Sequence, residues 1–149
     1  MRKAYRILAD LIAVGVAVQS MMMVWAIAGL FHWVDNGGTL TSKNDGDDLP
    51  SFQGSVGFAI HGIIGGMVIP VIALALLVVA FLAKLDGAVK WAAIILGVVV
   101  VQVIAGTAGT NAPVLGLLHG LLPFALFSAA IVAARAAHPT TQTAVTATP

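Results

Sequence analysis

The sequence predicts an all-α membrane protein, a four-transmembrane-helix bundle with both termini in the cytoplasm. Three observations predict it. Of the 149 residues, 60% are hydrophobic and only 9% charged, whereas soluble domains carry roughly a quarter charged residues. The mean hydropathy is +1.03. The apolar residues also gather into four runs, each close to or above the about 20 residues that a helix needs to cross a hydrocarbon core. A net charge of +1 leaves no basic footprint for nucleic acid. Cysteine is absent, which removes disulfides, thiolate metal sites, iron–sulfur clusters, cysteine catalysis and covalent haem attachment.

A basic stretch, Met-Arg-Lys-Ala-Tyr-Arg, precedes the first apolar run at about 7–31. Arg2, Lys3 and Arg6 with Ala26-Ile27-Ala28 resemble the charged region and cleavage box of a signal peptide. The run is longer than such a peptide's apolar region, so a transmembrane helix is expected. A polar outer loop, 32–53, follows, with Asp35, Asp45, Asp47 and Asp48 against Lys43 and turn signals at Gly37-Gly38 and Asp45-Gly46. The second helix is expected over about 55–83, kinked at Pro70. Lys84 to Lys90 form a short turn. The third helix is expected over about 91–109, and a Thr110-Asn111-Ala112-Pro113 turn leads to the fourth, about 113–135, with Pro113 in its first turn. Residues 1–137 thus form one transmembrane domain, and the tail 138–149 is expected to be disordered.

Orientation follows from the cations. Arg2, Lys3, Arg6, Lys84, Lys90 and Arg135 fall on one side, and Lys43 alone falls on the other. The positive-inside rule then puts both termini in the cytoplasm of a multi-pass plasma-membrane protein. The halves of the chain also echo one another. Ile12 to Gln19 resembles Ile95 to Gln102, and Ile60-His61-Gly62-Ile63 resembles Leu118-His119-Gly120-Leu121. A bundle of two repeated hairpins is expected, with a pseudo-twofold axis between them.

The repeats place one histidine in each hairpin. His61 and His119 each lie six residues beyond the outer entry of their helix, at Ser55 and Pro113. That is roughly 9 Å deep at 1.5 Å per residue. An imidazole in hydrocarbon is costly and is a functional candidate by default. Two at equal depth suit a planar macrocycle ligated from both faces, so His61 and His119 are the expected axial metal ligands of one haem. Gly57 and Gly65 stand one turn either side of His61, and Gly116 and Gly120 flank His119, leaving room for a cofactor. Close helix packing is the alternative use of such glycines. Zinc or copper would want three or four donors, and no carboxylate or thiol lies at this depth. His32 reads as interfacial with Trp33, and His138 as solvated. Gln19 and Gln102 are mid-membrane polar groups suited to interhelical hydrogen bonds or to orienting a ligand histidine. Asp10 pairs naturally with Arg6, and Met21-Met22-Met23 reads as packing.

Two stretches carry a family resemblance. Residues 98–135, VVVVQVIAGTAGTNAPVLGLLHGLLPFALFSAAIVAAR, and residues 58–69, FAIHGIIGGMVI, resemble the histidine helices and their partners in the haem A synthase family. That family is built from two four-helix halves, each holding one haem by a histidine pair. The resemblance covers one such half, here nearly the whole chain, and implies that His61 and His119 are the axial pair of one haem b near the outer face. The chain has one histidine pair, no glutamate and no outer-loop cysteine pair. The resemblance therefore implies a stand-alone haem-binding half-domain.

Three functions are expected to compete. The first is a small b-type cytochrome for electron transfer, partnered by quinol or another redox or membrane subunit. The second is a haem-free accessory or assembly subunit of a larger membrane complex. The third is a haem-processing enzyme. Proton or solute transport is disfavoured, because the only acid in a span is Asp10, near its end.

Overall fold

The structure, a computed structural model, describes residues 1–41 and 50–137. Lys43, Asp45, Asp47 and Asp48 of the polar loop, His138, and the tail with its expected disorder lie outside the described residues. The order is α1 (Arg2–Asp35), α2 (Val56–Ile63), a π-helical turn (Ile64–Val68), α3 (Ile69–Ala83), α4 (Ala88–Ala108) and α5 (Leu115–Ala136). The α2–π–α3 stretch forms one continuous span, so among the described residues four helical spans are long and apolar enough to cross a membrane.

The first helix extends beyond the expected 7–31 at both ends. It starts at Arg2, where Arg, Lys and Ala are good helix formers and Arg6 meets Asp10 at 3.9 Å. It runs on to Asp35 because hydrogen bonding, not hydrophobicity, sets a helix end; Asn36 and Gly37 at φ 90° then turn the chain. At 1.5 Å per residue its 34 residues reach about 50 Å, well past a core of about 30 Å. The other spans fall within a few residues of expectation. Pro113 lies in the turn before α5 rather than in its first turn, and its carbonyl accepts the Gly116 N–H at 2.9 Å.

The expected disturbance at Pro70 takes a specific form. Proline cannot donate to the carbonyl four residues back, and its ring crowds that carbonyl. The helix widens just upstream: the Ile69 N–H bonds the Ile64 carbonyl, five residues back, across Ile64–Val68. Pro70 then sits in the first turn of α3, directly after the widened turn.

The spans pack in a ring. α1 contacts the second span and α5, and α4 contacts α3 and α5. The second span and α5 therefore face each other across a diagonal. Tyr5 is buried, and its hydroxyl donates to the Ala88 carbonyl at 3.0 Å, tying the first turn of α1 to that of α4. Around it lies a core of small residues: Ala9, Ala13, Ala73, Ala80, Ala92, Ala130 and Ala133, with Ile12, Leu76 and Ile95. Alanine lets helix backbones approach closely. At the opposite end, Phe52 stacks on Trp33 (centroids 6.0 Å) and meets Phe58 edge-on (6.4 Å). This fastens the chain leading into α2. Leu, Val, Ile and Phe side chains cover the outside, among them Val71, Phe81, Leu117 and Phe124, as a lipid-facing surface requires.

Tyr5→Phe removes the only side-chain hydrogen bond between α1 and α4 among the described residues. It should cost about 0.5–1.5 kcal/mol, read as a lowered thermal midpoint of the detergent-solubilised protein.

Candidate functional site

The tightly packed core fills only the half of the bundle near Tyr5. In the other half the buried residues thin out to Gly54, Gly57, Ala26 and Ala105, and the space between the helices holds cavities. At its centre the His61 and His119 rings meet, with centroids 5.9 Å apart and planes at 75°. They come from the diagonally opposed spans, so the two histidines share one level in the bundle.

Each ring is held by the helix that precedes its own. His61 Nδ1 lies 3.4 Å from the Gln19 carbonyl oxygen of α1. His119 Nδ1 donates to the Gln102 carbonyl oxygen of α4 at 3.0 Å. A carbonyl can only accept, so the proton of each neutral ring belongs on Nδ1. Both Nε2 atoms are thereby left as bare lone pairs. This is the tautomer of a metal-ligating histidine, whose other nitrogen donates to a carbonyl or carboxylate.

The glutamines contribute differently. Gln102 Nε2 donates to the His119 backbone carbonyl at 2.9 Å, and Gln102 Oε1 is buried with no partner among the described residues. The Gln19 amide oxygen fills the space that a Cβ on Gly65 would need. Gln102 therefore makes the interhelical hydrogen bond expected of it, and both glutamines orient a histidine through the backbone.

Two cavities flank the pair. One, of about 400 Å³, lies between the second span and α4 and is lined by Gly62, Gly65, Gly66, Val103 and Gly106 among others. The second, of about 510 Å³, lies between α1 and α5 and is lined by Val16, Ser20, Gly120, Pro123 and Phe127 among others. Gln19, Met23, His61, Gln102, His119 and Leu126 border both. Each is within the about 300–1,000 Å³ of ligand sites, and both are mostly apolar.

The four expected glycines separate. Gly65 and Gly120 line cavities. Gly57 is instead a packing residue, since a Cβ there would meet the Met22 carbonyl of α1. Gly116 is exposed, with nothing within 4 Å of a Cβ built on it, and borders neither cavity. Sequence reasoning missed Gly106. A Cβ there would stand 2.7 Å from His119 Cε1, so the imidazole lies flush on α4 only because this residue is glycine. The signal was present: Gly106 is one turn from Gln102 and shares its face. Among the described residues no group of three or more His, Cys, Asp or Glu could hold a metal ion, so any metal here rests on the histidine pair.

Comparison of the chain with protein-family models, with curated proteins and with solved structures finds no match.

Gly106→Ala should displace the His119 ring and lower the thermal midpoint of the protein, whereas Gly120→Ala, where an added Cβ meets nothing within 4 Å, should raise it slightly through alanine's better helix propensity. Equal midpoints for the two variants would mean that α4 does not seat the imidazole.

Proposed function

We propose that this chain is a small integral-membrane b-type cytochrome, with His61 and His119 as the axial ligands of one haem near the outer face. The observation that carries the reading is the backbone carbonyl set against Nδ1 of both rings. Each Nδ1 faces a backbone carbonyl, so each Nε2 is free to bind iron. The separation supports it: the two rings, from diagonally opposed spans, stand with centroids 5.9 Å apart, close enough to share one bound group. The residues present therefore fit the group. The apolar cavities on either side, with Gly65 and Gly120 in their walls, are suited to an apolar macrocycle.

A bound haem would supply a one-electron couple, with His61 and His119 as the residues that would hold its iron. The chain's own part is to hold two imidazoles at fixed height, keep water out with apolar walls, and stiffen both rings through carbonyls of α1 and α4. The electron partner is a quinol or another redox or membrane subunit. The matched pattern, a glutamine carbonyl from one helix and a histidine from the next, supports a bundle of two repeated hairpins and the likeness to one half of the haem A synthase family. The basic residues at the Tyr5 end support cytoplasmic termini in the plasma membrane.

A haem-free accessory subunit is the competing reading, favoured by one observation. The same carbonyl contacts satisfy one nitrogen of each ring without any cofactor.

Protein purified from haem-replete cells should give a low-spin, dithionite-minus-oxidised b-type spectrum. Its ferric electron paramagnetic resonance should be of the highly anisotropic low-spin form, because planes at 75° are near perpendicular. His61→Ala and His119→Ala should each abolish that signal. A protein that takes up no haem, while the double alanine variant still folds, would establish the accessory reading instead.

A further inference from the structure

The His119 carbonyl needs a donor that its own helix does not supply. In α5 the residue four positions on is Pro123, which lies inside the helix and has no N–H to give. A carbonyl stranded in this way in an apolar span is costly, and neighbouring groups normally make up the loss. Here the neighbour is identifiable: Gln102 Nε2 reaches across from α4 to that same oxygen at 2.9 Å. The opposite end of the amide indicates which contact dictates its orientation. Gln102 Oε1 is left buried without a donor among the described residues, which typically costs about 1–3 kcal/mol. Turning the amide over would present an oxygen to an oxygen and lose the cap as well.

We propose that the Gln102 side chain is the positioning residue of His119. It replaces the helical hydrogen bond that Pro123 removes, and so fixes the height and pitch at which α5 presents the imidazole. The inference deepens the haem reading and rests on it for its functional meaning. Gln102 grips His119 twice, the main-chain carbonyl taking the ring proton and the side-chain amide holding the backbone. Among the described residues His61 has no second grip. Its contact to Gln19 is longer, at 3.4 Å, and α2 runs into the π-helical turn three residues later. The two ligands are therefore unequal, with His119 the rigid one.

The test is a double-mutant cycle in the full chain. Gln102→Met keeps an unbranched side chain of similar length but cannot donate; Pro123→Ala restores the missing N–H within α5. Two readouts are taken: the thermal midpoint of haem-free protein, and the reduction potential and ferric resonance of haem-loaded protein. Gln102→Met alone should lower the midpoint and shift both haem signals. Pro123→Ala alone should not lower the midpoint, because Gln102 still caps the carbonyl; as Pro123 also lines a cavity, its own haem signals are the baseline for the cycle. The double variant should return all three values towards those of Pro123→Ala, because its carbonyl has a donor again. If Gln102→Met alone does not fold, recovery of folded protein in the Pro123→Ala background is the same rescue. Absence of rescue by Pro123→Ala, or haem signals that Gln102→Met leaves unmoved, would overturn the proposal. If wild-type protein takes up no haem, the cytochrome reading fails by itself, and the haem-free midpoint still decides whether Gln102 substitutes for the proline's missing donor.

Discussion

Everything at the centre of this bundle depends on one kind of contact, an imidazole N–H facing a carbonyl in the middle of a neighbouring helix. Such a carbonyl already accepts from the N–H one turn on, and it has a second lone pair to offer. In an apolar span that lone pair is one of few acceptors within reach. Using it requires the ring to lie close to the helix backbone, which α4 permits by having glycine at 106. Reaching the carbonyls then fixes three things together. It sets the tautomer, lays the His119 ring flat against α4 at Gly106, and brings the rings of diagonally opposed spans to 5.9 Å.

The uneven packing of the bundle follows from the same demand. Where only apolar contact is required, alanine at Ala9, Ala73, Ala92 and Ala130 draws the helices together and leaves little space, as close-packed interiors do. Where the histidines meet, the helices cannot close in the same way, because two rings stand in the middle. The cavities on either side are the geometric remainder. Tyr5 and its bond to Ala88 anchor the closed half, so the open half is supported from one end by the alanine core and from the other by the Trp33–Phe52–Phe58 cluster.

Much of this was readable in the residues, and the unread parts share a cause. Four spans and the matched level of His61 and His119 follow from hydrophobic run length and from counting residues inwards. Both are one-dimensional properties of the chain. The role of Gly57 as a helix contact rather than a cavity wall is not one-dimensional, since it depends on which turn of α1 lies opposite. The same holds for the glutamines, which orient the histidines through backbone carbonyls, a group every residue has and no composition can flag. Pro123 lay in plain view four residues after His119, and the helical hydrogen-bond rule alone marks that carbonyl as needing help. What the chain could not reveal was that Gln102, from another helix, supplies it.

The two prolines explain why the histidines are not equivalent despite their matched surroundings. Both interrupt a span after its histidine, and each break is repaired differently. Below His61 the backbone itself adjusts, widening into a π-helical turn, an arrangement frequent at functional sites. Below His119 the backbone stays α-helical and a side chain from α4 makes the repair. The first solution leaves α2 as an eight-residue segment between Gly54, at φ 95°, and a widened turn. The second ties α5 to its neighbour. Movement of one histidine against the other is therefore cheaper on the α2 side.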